Sequence, residues 1–232
     1  MADLVVNYSL ASATTLANPD GTLPAILTNS TEAAGPGATT LGTLDKALHF
    51  DTGASIQTTL SPEAITPNRF CIRVAFSANG PVTTRQNLVE STALPFAMFL
   101  EPGSAADRFN LVVAVANSQV DWAIAHTTNR VALTLNTWYV VSLVYDLNTL
   151  ALIVDGTVHA VTAFPNGGLQ EGTGDKLWIG AWVDGLRWSF KGDIAAVQVY
   201  SARNHPRRQA LYPRVVSHPQ TQRDSAYAQP RQ

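Results

Sequence analysis

Two tryptophans flank a short polar turn in Trp182-Val183-Asp184-Gly185-Leu186-Arg187-Trp188. Aromatic rings beside a carboxylate and a guanidinium can stack on the face of a sugar, and they can equally anchor a protein interface. Trp182, Asp184, Arg187 and Trp188 are therefore the candidate ligand-binding residues. Other chemistry is poorly provided for. The five histidines (His49, His126, His159, His205, His218) are scattered and Cys71 is the single cysteine, which argues against a zinc site. Cys71 lies in an alternating run, Phe70-Cys71-Ile72-Arg73-Val74, and reads as a buried small hydrophobe rather than a reactive thiol. Gly167-Gly168 and Gly172-x-Gly174 lack the strand-then-helix setting of a phosphate-cradling loop. The five glutamates (Glu32, Glu63, Glu90, Glu101, Glu171) all fall near turn-forming residues.

The elements that must position these residues follow a period of two. Phe109 to Val115, Thr137 to Tyr145, Leu150 to Val154 and Ala195 to Tyr200 are rich in β-branched and aromatic side chains, which fit a pleated, half-buried surface. Turn signals punctuate them: Asn79-Gly80, Pro102-Gly103, Asp155-Gly156 and Asn166-Gly167-Gly168. Many short strands with such punctuation predict an all-β, antiparallel two-sheet sandwich or a barrel. The clearest local expectation is a hairpin from Leu150 to Val161, because Asp155-Gly156 suits a two-residue turn with positive φ at both positions. Asn18 to Thr43, poor in charge and rich in Gly, Pro, Ala and Thr, is expected to be a long loop with one short strand near Ala25 to Leu27. Trp138, Tyr139 and Trp178 are expected to pack in core strands.

With 46% hydrophobic and 14% charged residues, the 232-residue chain can bury one large core. The net charge of −2 hides a split. Residues 203–232 carry six arginines and one acid, Asp224. The body, residues 1–202, keeps nine basic and sixteen acidic side chains, a net −7. The expected organisation is thus a sandwich domain over 1–202 and a basic, Pro- and Gln-rich tail over 203–232, with a short helix after Pro206. Arg207, Arg208 and Arg214 are the candidate partner-binding residues, docking on an acidic surface of a neighbouring subunit. The tail has few aromatics to stack on bases, so no nucleic-acid partner is expected. No apolar run is long enough to span a membrane. The first residues lack a basic and apolar leader, so synthesis in a cytoplasm is expected, with later incorporation into a virion or an extracellular particle open.

The order of segments resembles the laminin G-like/concanavalin A-like jelly rolls. Leu4-Val5-Val6-Asn7-Tyr8 is similar to their opening strand, and Lys46 to Asp51 with Gly53 to their Phe-Asp-Gly signature. Asn136 to Asp146 resembles the Trp-centred strand, Leu150 to Gly156 the strand ending in Asp-Gly, and Leu177 to Ala181 with Phe190 to Tyr200 the closing strands. The resemblance spans about residues 3–201 and implies the jelly-roll sandwich. It implies no single activity, because the fold hosts lectins, adhesion domains, glycosidases and lyases. The alternating acids of its glucanases, Glu-x-Asp-x-Glu, are absent, as are the Arg-x-Glu-x-Arg and Gln-x-His strands of its lyases. Its calcium-binding members suggest Asp51 with Asp193 as a metal pair, although the last-strand acids of those members are replaced by Ala195-Ala196. The leading expectation is a non-catalytic binding or assembly module, a homo-oligomer or a component of a larger particle such as a phage virion. The alternative is a carbohydrate-binding, lectin-like module that needs no cofactor or takes calcium. A glycan-active enzyme ranks below both.

Overall fold

The computed structural model describes residues 2–12, 25–60, 69–93, 96–116, 127–147, 149–163, 172, 174–182 and 184–202. Within them the chain forms fifteen β-strands and no helix. In chain order these are β1 (Ala2–Ser9), β2 (Ala25–Thr28), β3 (Thr31–Thr39), β4 (Gly42–Phe50), β5 (Ser55–Thr59), β6 (Arg69–Ala78), β7 (Gln86–Ser91) and β8 (Phe96–Pro102). They continue with β9 (Arg108–Val115), β10 (Thr127–Thr134), β11 (Trp138–Asp146), β12 (Thr149–Val154), β13 (Thr157–Ala163), β14 (Lys176–Ile179) and β15 (Gly192–Ala202).

All pairings are antiparallel and fall into two sheets. The eight-stranded sheet runs β13-β12-β11-β6-β15-β4-β3, with β1 also paired to β15. The seven-stranded sheet runs β10-β9-β8-β7-β14-β5-β2. Alternate residues of facing strands fill the space between them: Phe70, Ile72, Val74 and Phe76 of β6 meet Phe96, Met98 and Leu100 of β8 and Phe109 of β9, all fully buried. Phe76 alone approaches Phe109, Tyr139 and Phe190 with centroids at 6.0–6.3 Å. This is the two-sheet sandwich that the alternation of the sequence predicts.

The hairpin of β12 and β13 turns at Asp155 and Gly156, with φ of 48° and 81°. The Asp155 side chain adds a tie: its Oδ1 accepts the Val140 N–H at 2.8 Å.

The expected loop before Thr43 is corrected. β3 is a nine-residue strand, and β4 begins at Gly42. Its composition hides it, because it contains Gly35, Pro36 and Gly37. It lies at the sheet edge, and its ladder with β4 skips between Ala34 and Gly37. An edge bulge is where proline and glycine are tolerated in a strand.

The β3–β4 hairpin also leaves the plane of its sheet. β4 pairs with β15 only at Leu48 to Phe50, against Gly192 to Ile194. From Ala196 onward that side of β15 is taken by β1. The remainder of β4 lies over the outer face, where Leu44 and Ala47 pack on Ala75, Val140, Ala195 and Ala196. Arg73 Nη2 donates to the Thr40 carbonyl at 3.3 Å and holds the hairpin tip down.

Trp138 and Trp178 are not between the sheets. Trp138 packs with the outer-face cluster under the hairpin. Trp178 lies opposite Glu90, between the buried Leu177 and Ile179, and so faces outward from the seven-stranded sheet. Tyr139 does pack against the core, with its hydroxyl 2.8 Å from Thr134 Oγ1. Cys71 is half-buried beside Val144, Ala151 and Ile153, and burial pushes its thiol up to about 12, which keeps it protonated and inert.

Candidate functional site

The outer face of the seven-stranded sheet is built first by an irregularity in β7. Its register to β8 runs Asn87↔Phe99, then Val89↔Met98 and Glu90↔Ala97, so Leu88 is the extra residue. Leu88 and Val89 both enter the core. Asn87 and Glu90 therefore share the outward face with Phe99 and Ala97, although they are three residues apart. A regular strand would have sent them to opposite faces.

The loop after β14 brings the second half. Gly185, with φ of 71°, closes a turn by donating its N–H to the Trp182 carbonyl at 2.7 Å. Asp184 Oδ1 accepts the N–H groups of Leu186 and Arg187, each at 2.9 Å. Trp182 N–H donates to the Arg187 carbonyl at 3.0 Å, and Asn87 N–H to the Trp188 carbonyl at 2.8 Å. The last contact ties the loop to β7. Trp188 is held at a φ of 52°, a left-handed conformation that a bulky side chain adopts only when its surroundings fix it.

Together the two segments form one continuous stack. The Arg85 guanidinium lies 3.9 Å from the Phe99 ring centroid on one side and 4.2 Å from that of Trp188 on the other. The rings of Trp188 and Trp182 are 4.8 Å apart at 52°. The Arg187 guanidinium closes the series 3.9 Å from the Trp182 ring. Each cation–π contact contributes on the order of 1 kcal/mol.

Polar bonds lock the stack from below. Glu90 accepts from Trp182 Nε1 at 2.9 Å, from Arg85 Nη2 at 3.0 Å and from the Asn87 side-chain amide. Arg85 Nε donates to Asn87 Oδ1 at 2.7 Å. Burial raises the Glu90 carboxyl above its ordinary value, against the opposing pull of Arg85 and the three donors. Burial lowers Arg85, against the opposing charge of Glu90. Asp184 behaves differently. Desolvation is the largest single influence and pushes its carboxyl up, but the Arg187 and Leu186 N–H groups and the Arg187 guanidinium together outweigh it and hold the carboxyl at about 2.

The structure thus brings Trp182, Asp184, Arg187 and Trp188 onto one surface. Arg85, Asn87, Glu90 and Phe99 belong to the same surface, and sequence reasoning missed them. Glu90 in particular is not a turn residue but lies buried in β7. No local signal marks these four. They join the tryptophans only because β7 lies beside β14 and because the bulge sets their facing.

Asp51 and Asp193 are placed apart in function. Asp193 Oδ1 is 2.7 Å from His49 Nδ1, and its other oxygen accepts from the Asn79 amide. Asp51 Oδ1 accepts the Thr52 N–H at 2.7 Å. Calcium takes six to eight oxygen ligands. Among the described residues no group of three or more His, Cys, Asp or Glu side chains gathers to hold a metal, and these two carboxylates alone do not fit a calcium cage. Arg207, Arg208 and Arg214, the helix expected after Pro206, and His126 lie outside the described residues. No helix among the described residues is long and apolar enough to cross a membrane.

Comparison with known proteins sets this architecture among relatives. Domain 4 of AbnA, an extracellular arabinanase from Geobacillus stearothermophilus seen in complex with arabinotriose, superposes with a TM-score of 0.58 at 13% identity. The match covers 87% of this chain and 93% of that domain. Trypanosoma rangeli sialidase gives 0.59 at 13% identity, over 87% of this chain and 31% of the sialidase. The binding domain of botulinum neurotoxin serotype D gives 0.53 at 11% identity, over 85% and 48%. At these identities the likeness is one of fold, and the chain spans less than half the length of the sialidase and of the toxin domain. No curated protein sequence matches the chain. A family model does, over residues 50–205, more than half of the chain, and by that match the chain belongs to the laminin G-3 family of the concanavalin A-like lectin/glucanases superfamily.

Proposed function

We propose that this chain is a non-catalytic carbohydrate-binding module whose glycan lies on the Trp182–Trp188 face. The observation that carries this reading is the stack Phe99–Arg85–Trp188–Trp182–Arg187, fixed on both sides by hydrogen bonds before any ligand arrives. A pre-ordered aromatic surface edged by a guanidinium and a carboxylate offers ring faces to sugar C–H groups and polar rims to hydroxyls. The acids here are engaged in holding the surface. Glu90 is paired with Arg85 and Asp184 with Arg187, which leaves neither as a free general acid or base. The arabinanase domain that shares the fold was seen with arabinotriose, which makes neutral oligosaccharides the first ligands to try.

A glycan array, run with and without a chelator, tests the reading. Binding that is lost in Trp188→Ala and insensitive to the chelator supports it. Loss with the chelator would show a calcium requirement and make Asp51 and Asp193 the first carboxylates to change. No binding to any glycan would overturn it.

One observation favours a second reading, an assembly module. Leu186 projects from the same loop with 72% of its surface exposed, beside Trp188 at 36%. An exposed leucine on a rigid loop also suits a protein partner. The basic tail, through Arg207, Arg208 and Arg214, would supply a second contact to a neighbouring subunit. Light scattering on the full chain and on residues 1–202 separates the two. A defined oligomer that becomes a monomer on truncation favours assembly, and monomers in both cases remove it.

A further inference from the structure

A second site lies on the opposite side of the molecule. The β3–β4 hairpin, where it lifts over the outer face of the eight-stranded sheet, leaves an open cleft of about 290 Å³ between its tip and the β11–β12 edge. Pro36, Ala38, Thr39 and Thr40 form one wall, and Trp138, Val140 and Asp155 the other, with Ala75 at the base. Its volume is at the small end of ligand pockets, roughly 300–1,000 Å³. That limits an occupant to about one sugar ring.

The polar groups of the cleft are unevenly used. Asp155 Oδ1 accepts the Val140 N–H and thereby fixes the carboxylate, while Oδ2 has no protein donor among the described residues. The Trp138 indole N–H likewise has no protein acceptor among them, and its ring is half-buried against the outer-face cluster. Trp138 and Asp155 thus line one small space, the half-buried indole on its wall and the carboxylate at its exposed rim. Thr40 adds a hydroxyl, positioned by Arg73 Nη2 at 3.4 Å.

We infer that this cleft is a second saccharide subsite, taking a single neutral sugar ring through Asp155 Oδ2, the Trp138 indole N–H and the Trp138 ring. A sugar hydroxyl both donates and accepts, so one ring satisfies the carboxylate and the indole together. A cation would satisfy the carboxylate and the ring face but leave the indole N–H without an acceptor, and an anion would satisfy only the indole. The inference does not depend on the Trp182–Trp188 face, because the two sites share no residue and lie on different sheets. If both hold, the module has two glycan contacts on opposite faces and can bridge two chains of a polysaccharide.

The test uses the full chain labelled with 15N, whose five tryptophans give separable indole N–H signals. Each signal is assigned by a Trp→Phe variant. The probes are the methyl glycosides of arabinose, galactose, glucose and mannose, with tetramethylammonium as the cation control. The expected result is a saturable shift of the Trp138 signal with at least one glycoside, and affinity at least tenfold weaker in Asp155→Asn. That variant keeps one oxygen for Val140 and tolerates the positive φ, so the turn persists and only Oδ2 is replaced. Unchanged signals of the other four tryptophans in Asp155→Asn verify the fold. The inference is overturned if no glycoside moves Trp138, if only tetramethylammonium does, or if Asp155→Asn binds as the parent does. Shifts at Trp182 and Trp188 without one at Trp138 would sink this subsite and leave the proposed function standing. The reverse pattern would sink that function and leave this one.

Discussion

The two outer faces of the sandwich are finished by opposite means. On the seven-stranded sheet, large and charged side chains cover the strands and cross-link one another, with Arg85 held between Phe99 and Trp188 and Glu90 at the base. On the eight-stranded sheet, small residues (Ala47, Ala75, Ala195, Ala196) let a hairpin of the chain lie directly on the face. The first face is specific because its polar groups must all be satisfied, and a missing partner leaves a charge or an indole stranded. The second is specific because of shape, and a missing methyl matters less there than an added one. One face is therefore sensitive to deletion and the other to enlargement.

The sharpest way to break this contrast is Glu90→Ala. It strands the half-buried Arg85 and the Trp182 indole N–H together, and should cost about 3 kcal/mol in urea unfolding. A cost below about 1 kcal/mol would mean that the polar network does not hold the face. Ala75→Leu is the matching change on the other side. It forces the hairpin off the sheet at about 2 kcal/mol. Hydrogen exchange should then rise in Thr31 to Ala47 and stay unchanged in the Trp182–Ser189 loop. Exchange rising equally in both would show that the faces are not independent.

Smaller effects sharpen the comparison. Trp188→Ala removes one ring contact to Arg85 and one to Trp182, and should cost about 1 kcal/mol of stability. Arg73→Ala releases only the hairpin tip, in exposed hydrogen bonds, and should cost about 0.5 kcal/mol. The pH dependence should show two signs within the polar face. Asp184 is depressed, so its contribution is complete above its ordinary value of 3.8 and is lost as the pH falls towards about 2. Glu90 is raised, so its contribution is complete below its ordinary value of 4.5 and declines as the pH rises through the raised value. Melting curves of Asp184→Asn and Glu90→Gln across pH 2–7 should each flatten one limb of the parent profile, on opposite sides.

Much of the fold was legible in the sequence because a sandwich writes itself as alternation and turns. Phe70-Cys71-Ile72-Arg73-Val74 alternates in and out as read, and Asp155-Gly156 turns where it should. β3 was missed because an edge strand with a bulge needs neither β-branched residues nor an unbroken ladder. Trp138 and Trp178 were assigned to the core because hydrophobicity tells that a ring is covered, not which face of the sheet covers it.

For the site, the turn at Asp184-Gly185 set its own backbone and placed Arg187 beside Asp184, since a local turn needs only its own hydrogen bonds, whereas Trp182 and Trp188 are also held by Glu90 and Asn87. Those partners are not set locally. Arg85, Asn87, Glu90 and Phe99 reach the tryptophans across three adjacent strands, and one extra residue in β7 decides which way two of them point. The cleft at Trp138 and Asp155 has the same origin on the other sheet. It exists because β15 exchanges β4 for β1 as its neighbour, which frees the hairpin to fold back. The sequence by itself determined strands, turns and the presence of an aromatic and charged loop, because these depend on neighbours a few residues away. Only the tertiary structure decided which residues share a face, because strand order and a single bulge act between segments that are distant in the chain.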